Sequence, residues 1–420
     1  MSQKKSFALG YSYIVETFIG WLFYGLLIAS GISTIIMSFS QTTGIASTTL
    51  FSVNTIGGYI SVLGVFGCSY LIKKKSIRFT TSLSYLISAL GVLIVGHGQS
   101  IGAFIIFSAL TQFFYHGYSY GSANALIGNW FPRKRGVVMG IVTAGIMCAS
   151  FTGVLFMTKM TPVIGWGMVC NIIAGILLVL GIACWFWIRD YPEDVGLLPD
   201  NMPISESERL ALQPNQKEVW TAKEILAHKD GILYIIGFGC LNMTGTGSLT
   251  ITVPFLMEMG YNNVTAVMIM SGCSIGAMIG SIVMGWFDSK LGTKAATLIM
   301  AVVYAVCGFG MGIFGVAKNV PLALAFTVLI NFVGGGLANL GGSLVLNMYG
   351  RNSYNQAWRY LNTGAQLIKA CCYAAIGGLA TAMGAYSYAN FVWGIVSTIA
   401  VIAIACGSFR LRTEHQKEAA

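Results

Sequence analysis

An all-α polytopic membrane protein is the fold class this sequence predicts, with twelve transmembrane helices in two six-helix bundles. Three observations predict it. The chain of 420 residues is 55 % hydrophobic and only 9 % charged, about a third of the charge a soluble domain carries. Its mean hydropathy of +0.73 does not fit a water-facing globule. Fifty-two residues are glycine, costly in soluble helices but common where membrane helices pack closely. Disorder, a secreted disulfide scaffold and a soluble enzyme are thereby excluded.

A spanning helix needs about 20 mostly apolar residues. Such runs lie at residues 11–38, 46–72, 79–96, 101–127, 136–158 and 164–188, then 232–257, 263–286, 294–315, 321–347, 355–382 and 386–408. One long hydrophilic stretch divides them six and six, and holds nine of the fourteen acidic residues. The chain thus reads as an N-terminal bundle over residues 1–188, a central cytoplasmic loop over 189–230 and a C-terminal bundle over 231–420. Ser205 to Glu208 and Thr221 to Glu224 have capping-box spacing. The second, in TAKEILAHKD, predicts a short surface helix before span 7.

Charge sets the expected orientation. With both termini cytoplasmic, 21 of the 24 lysines and arginines fall in inward segments. Lys159 and Lys318 lie in outward loops, and Lys369 lies inside a span. That asymmetry follows the positive-inside rule. The short extramembrane segments point to a bacterial inner membrane. The net charge of +10 sits in clusters between apolar runs, so it reads as topology and lipid contact rather than nucleic-acid binding. All ten cysteines lie in apolar segments without a CxxC and away from the four histidines; they read as small hydrophobes. No metal and no cofactor is expected, and the expected state is a monomer. The N-terminal run to Phe39 is too long for a signal h-region and reads as a retained first span.

The halves echo each other at an offset of 218 residues. Gly67 matches Gly285, and Asn129 and Arg133 in NWFPRKRG match Asn347 and Arg351 in NMYGRNSY. A duplicated six-helix unit is the simplest reading.

The loop sequence Gly285-x₃-Ser289-Lys290-x-Gly292-x-Lys294 resembles the loop motif of the major facilitator superfamily. Ser289 stands where that family usually has aspartate, and Asp288 comes one place early. NWFPRKRG followed by GxxxG, PEDVGLLPD (192–200) and WTAKEILAHKDG (220–231) are similar to the oxalate/formate-antiporter and monocarboxylate-transporter group. The resemblance implies two bundles that rock to give alternating access, with a central site at their interface. It also implies a gating role for Arg133, Arg135, Asp288, Lys290, Lys294, Arg351 and Arg359.

Lys369 is the leading site candidate. An ionisable group at membrane depth costs about 2.5–3.5 kcal/mol on insertion scales and usually faces a cavity. Arg359, Asn362, Gln366, Lys369 and Tyr373 follow spacings of 3, 4, 3 and 4, so they share one helical stripe. The resembling antiporters carry a carboxylate-contacting lysine in their eleventh span, and QLIKACC lies where it is expected. The family's second cation, in span 8, is here Ser281. One fixed cation suits a monocarboxylate better than a dicarboxylate, since an uncompensated charge in a low-dielectric pocket is expensive.

In span 4, TQFFYHGYSYGSAN places Gln112, His116, Ser119 and Tyr120 on one helical face, with Tyr115 and Tyr118 nearby. His116 suits proton exchange through its reference pKa near 6.5, or is an ordinary hydrogen-bonded bundle histidine. Glu16, in span 1, either carries a proton or balances a basic loop. Glu258 reads as a solvated residue at the outer mouth of span 7. Gly117-Tyr-Ser119-Tyr-Gly121 matches the nucleophile-elbow pattern, but that motif acts on a strand-to-helix turn, not mid-helix in an apolar span.

The expected function is secondary transport of a small organic anion, most simply a monocarboxylate. Lys369 would fix the carboxylate, with Gln366, Asn362 and Tyr373 orienting it and Tyr24, Tyr115, Tyr118 and Tyr120 enclosing an apolar tail. Coupling is either proton symport through His116 or Glu16, or exchange of two anions. The competing reading is proton-coupled export of a cationic or zwitterionic amine with Glu16 as its partner. The expected partners are the anion, protons and membrane lipids; no enzymatic activity and no nucleic acid are expected.

Overall fold

In the computed structural model, residues 8–131, 135–202 and 220–410 are described, and outside short turns they are helical. Among them, nine helices are long and apolar enough to cross a membrane. They are Ser47–Lys74, Ile77–His97, Val138–Ile164, Trp166–Trp187, Lys229–Glu258, Asn263–Leu291, Thr293–Val316, Val320–Tyr349 and Tyr386–Cys406, which correspond to spans 2, 3, 5 to 10 and 12. Span 1 is a pair of helices, Ala8–Leu27 and Ile32–Thr43, bent by 45°. Spans 4 and 11 complete the twelve. Span 4 is divided into Ile101–Phe114 and Tyr120–Trp130, too short singly. Span 11 is the later part of the helical run Leu337–Met383, diluted by the polar stripe around Lys369.

That run is 47 residues long, yet it does not extend straight. Gly341 abuts the ring of Phe238, and Gly364 abuts the side chain of Ile235. A straight helix would hold residues 341 and 364 roughly 35 Å apart. Ile235 and Phe238 are one turn apart on span 7, so the run folds back between them as spans 10 and 11.

The chain divides into two compact units, Met1–Gln216 and Lys217–Ala420. Within the first, span 1 packs on span 5, span 2 on span 4, and span 3 on spans 4 and 6. Within the second, span 7 packs on span 11, span 8 on span 10, and span 9 on spans 10 and 12. These pairings recur in both units, and in the second span 7 also packs on span 12. The repeated asparagines also do similar work. Asn129 donates to the Asp190 carbonyl (3.0 Å), and Asn347 donates to the Thr293 hydroxyl (2.9 Å), each tying the fourth span of its unit to a neighbouring loop. The repeated glycines do not: Gly67 abuts the Phe113 ring, whereas Gly285 has no neighbour within 4 Å.

Helix ends are closed by side chains. The Asp190 carboxylate accepts the Ile77 and Arg78 amides (2.7 and 3.2 Å) and so caps span 3. Asp230 accepts the Ser408 and Phe409 amides (2.9 and 3.1 Å) and the Ser408 hydroxyl (2.5 Å), tying the start of span 7 to the chain leaving span 12. The capping box at Thr221 forms, with Glu224 accepting the Thr221 amide at 2.6 Å and the Glu224 amide donating to the Thr221 hydroxyl at 3.3 Å. The Ser205 to Glu208 box and Arg133 lie outside the described residues, as do the side chains of Arg135 and Arg351.

Several sequence expectations are corrected. Span 4 is not one continuous helix. A 3₁₀ turn occupies Tyr115–Gly117, and Ser119 has φ −120° and ψ −94°. The Ser119 and Ser122 hydroxyls donate to the Tyr115 and Gly117 carbonyls (2.7 and 2.6 Å), satisfying groups that the break releases. Helical periodicity therefore does not carry across this point, and Gln112, His116, Ser119 and Tyr120 are not one continuous face. The GxSxG sequence lies at this break rather than mid-helix, with Ser119 spent on the backbone. Span 10 breaks at Gly335, 218 residues after Gly117. Glu258 is not simply solvated: it accepts the Ser387 amide (3.1 Å) and hydroxyl (2.5 Å) and pairs with Lys318 at 3.2 Å.

Candidate functional site

Unit 2 holds the lysine stripe. Leu361, Ala365 and Ile368 form the face of span 11 that meets span 7, where Gly231 and Gly239 let the helices approach. Asn362, Gln366, Lys369 and Tyr373 lie on an adjacent face, and are 9, 6, 8 and 2 % exposed. Among the described residues, Lys369 is the one buried lysine or arginine. Arg359 continues the stripe two to three turns away, its guanidinium 4.9 Å from the Tyr360 ring centroid and bonded to the Tyr360 hydroxyl at 2.9 Å. The helix in the same place in unit 1, Val138–Ile164, has Lys159 near its end as its one charged residue, and Phe151 stands 218 residues before Lys369. The shared packing scheme does not require the lysine.

Ser281, in the place of the family's second cation, accepts a hydrogen bond from Asn339 of span 10 (2.9 Å). The neighbouring loop motif is a hydrogen-bonded junction within unit 2. Asp288 accepts the Thr293 hydroxyl (2.5 Å) and the Ser343 hydroxyl (2.9 Å). Lys294 donates to the Ala405 carbonyl (3.1 Å) and so holds the end of span 12, while Lys290 is exposed.

Unit 1 holds an aromatic cluster and a polar seam. The rings of Tyr24 and Tyr115 are 4.9 Å apart, those of Tyr24 and Tyr120 5.4 Å, and those of Trp21 and Tyr120 4.3 Å. Tyr118 does not join them. The break turns it onto Tyr85, with ring centroids 4.7 Å apart and planes within 8°. Tyr85 in turn donates to Glu16 (3.3 Å), whose carboxylate also meets the Cys184 thiol (3.8 Å). Glu16 is thus enclosed by spans 1, 3 and 6, at 2 % exposure.

His116 sits in the turn itself. Its Nε2 is 3.1 Å from the Ser61 hydroxyl, which is also 3.0 Å from the Tyr115 hydroxyl. Farther along the same helices, Ser108 donates to Asn54 at 2.6 Å. Sequence reading missed Ser61, Asn54, Ser108 and Trp21. The spacing Asn54, Gly57, Ser61, Gly64 and Cys68, alternating 3 and 4, marks one face of span 2 and was available as a signal. Tyr85 and Cys184 had none, because only the packing brings them to Glu16.

Comparison with known proteins gives the family. The Major Facilitator Superfamily model matches residues 17–370. The chain belongs to the major facilitator superfamily. Among curated members, the glucose-6-phosphate exchanger SLC37A2 of Xenopus tropicalis is 24 % identical over 49 % of this chain and 48 % of its own length. The putative glycerol-3-phosphate transporter 1 of Arabidopsis thaliana is 22 % identical over 57 % of this chain and 50 % of its own. Monocarboxylate transporter 13 of Rattus norvegicus is 20 % identical over 70 % and 58 %. The chain spans about half the length of the curated relatives it matches. As a superfamily member whose described residues include nine helices long and apolar enough to cross a membrane, it is an integral membrane protein.

Proposed function

We propose that this superfamily member is a secondary transporter of a small organic anion, with a monocarboxylate as the favoured substrate. The observation that carries the reading is Lys369, buried on a polar stripe that the duplicated fold does not need. An ionisable group at membrane depth is costly and usually lies where an ion or substrate passes. A carboxylate supplies both charge and acceptors, and Gln366, Asn362 and Tyr373 would orient it. The relatives named for sugar phosphates and for monocarboxylates are alike in their anionic substrates. A phosphomonoester carries about −1.5 to −2 charge at pH 7, which one buried cation balances less well than it balances a carboxylate.

The test is thermal stabilisation of the purified protein by a panel of small monocarboxylates, glycerol 3-phosphate and small amines, repeated in Lys369→Gln. A ligand of the native state raises apparent stability by mass action. Monocarboxylates should shift the wild type and not the variant. A shift by glycerol 3-phosphate alone moves the substrate to phosphate esters. A shift by amines, or an unchanged response in Lys369→Gln, overturns the anion reading.

A further inference from the structure

The seam between spans 2 and 4 buries two amides and a histidine, whereas the polar contacts between spans 8 and 10 in unit 2, Asn339 to Ser281 and Ser343 to Asp288, are exposed or half-buried. Along span 2 the facing residues are Leu50, Asn54, Gly57, Ser61 and Gly64. Gly57 meets Ser108 and Gln112, and Gly64 meets the Phe113 backbone, so the two helices touch closely. Asn54, Ser61, Ser108, Gln112 and His116 are all buried there, at 4 % exposure or less. In unit 2 span 8 buries Met270, Ser271, Cys273, Ser274, Ala277, Gly280 and Met284, with Ser271 and Ser274 donating to carbonyls of their own helix, and span 10 buries Ala323, Thr327, Ile330 and Val333. Thr327 is satisfied by its own helix, at 2.8 Å from the Ala323 carbonyl. The packing scheme therefore does not call for buried amides or a histidine in this seam.

Two of the seam's polar groups lack hydrogen-bond partners although buried: Nδ2 of Asn54 and Nε2 of Gln112. Leaving such a donor unpaired costs about 1–3 kcal/mol, and ordered water is the usual remedy in polar seams. The two amides lie on the same run of side chains that ends at Ser61 and His116. We propose that His116 takes up and releases a proton during transport, and that this seam is the hydrated route by which the proton reaches it. This deepens the anion-transport reading and rests on it, since it assigns that cycle a proton step.

The chemistry is a proton transfer alone. The neutral ring accepts the Ser61 O–H at Nε2. On protonation Nε2–H donates to Ser61 instead, and the hydroxyl turns to another acceptor. The proton comes from water in the seam and returns to water. Titratable groups facing His116 are Tyr115, at 3.9 Å between ring centroids, and Tyr120 at 5.9 Å. Tyr24 of span 1 packs behind Tyr115. Tyr85 and Tyr118 stack on the span 3 side, with Glu16 beyond Tyr85, and Cys68 lies farther along span 2, bonded to the Phe113 carbonyl at 3.7 Å. Leu50 and Phe104, one turn beyond Asn54 and Ser108, are fully buried, so the seam is shut there in this conformation and the proposed route admits a proton only when the transport cycle opens it.

The chain has four histidines, so ¹⁵N-imidazole spectra of the full-length protein in nanodiscs resolve them, and His116→Gln assigns the signal. His116 should pass from the neutral to the imidazolium pattern between about pH 5 and 8. In Asn54→Leu/Gln112→Leu that transition should vanish or move by at least one pH unit, with His97 and His228 unchanged. If the double variant does not fold, Asn54→Thr/Gln112→Met takes its place. A His116 that stays neutral throughout, or titrates identically in the seam variant, overturns the proposal. In proteoliposomes, using the monocarboxylate that best stabilises the wild type, His116→Gln should lose pH-driven uptake at least tenfold and keep counterflow within twofold; equal pH-driven uptake also overturns it. Failure of the anion reading shows separately, as no carboxylate counterflow in the wild type.

Discussion

At the residue scale, Lys369 and its neighbours were legible because a charge inside an apolar run stands out whatever the fold. Spacing placed Asn362, Gln366 and Tyr373 on its face, and the helix there is regular, so their burial follows. Replacing Lys369 with Gln removes the charge and keeps a donor. The expected loss is about 10- to 100-fold in carboxylate affinity, the size of a charge-assisted hydrogen bond of about 1.5–3 kcal/mol, read by titration of thermal stability. Lys369→Arg keeps the charge but changes its shape; it should recover part of the affinity. Tyr118 was not legible in the same way. Its neighbours are fixed by a break in the helix that no side-chain spacing announced.

At the element scale, helix contacts depend on small residues at particular crossings. A Cβ at Gly280 would meet the Phe332 backbone, whereas Gly285 one turn later has open space. Gly280→Leu should therefore destabilise unit 2 by about 2 kcal/mol or more, within the range for overpacked sites, while Gly285→Ala should stay within about 0.5 kcal/mol. Denaturation of the two variants side by side checks the contrast. Asp190→Ala removes the acceptor for two amides at the start of span 3, and should cost about 1–2 kcal/mol, as a lost helix cap does. Its effect should appear as faster amide exchange at residues 77–80. The sequence named Gly285 through a motif and passed over Gly280. A motif records family likeness, and a crossing point is a property of two helices together.

At the scale of the whole molecule, the repeated pairing of spans makes each unit complete in its own contacts. Residues 1–216 and 217–420, expressed as separate chains, should each insert and give a helical spectrum. Each should also resist trypsin in its membrane-embedded part to within a few-fold of the full chain. Rapid digestion of either half alone would show that its core depends on the other. The two units share a scheme but differ in polar content: unit 2 carries the lysine stripe on span 11, and unit 1 the seam between spans 2 and 4. That division is the strongest argument that these groups serve transport rather than packing.

The sequence by itself determined the membrane class, the twelve spans, their division into halves and the family. Each of these rests on composition and on apolar runs about one bilayer long, which hold whatever the packing. It also determined the lysine stripe, because one regular helix carries it. The tertiary structure alone decided where helices bend and which polar groups meet. The break at Tyr115–Ser119 turns Tyr118 onto Tyr85, and the enclosure of Glu16 by Tyr85 and Cys184 and the seam from Asn54 to His116 join residues 54 to 168 positions apart in the chain. Side-chain periodicity reports one helix at a time; contacts between helices depend on their crossings, and those are set by close packing of both faces at once.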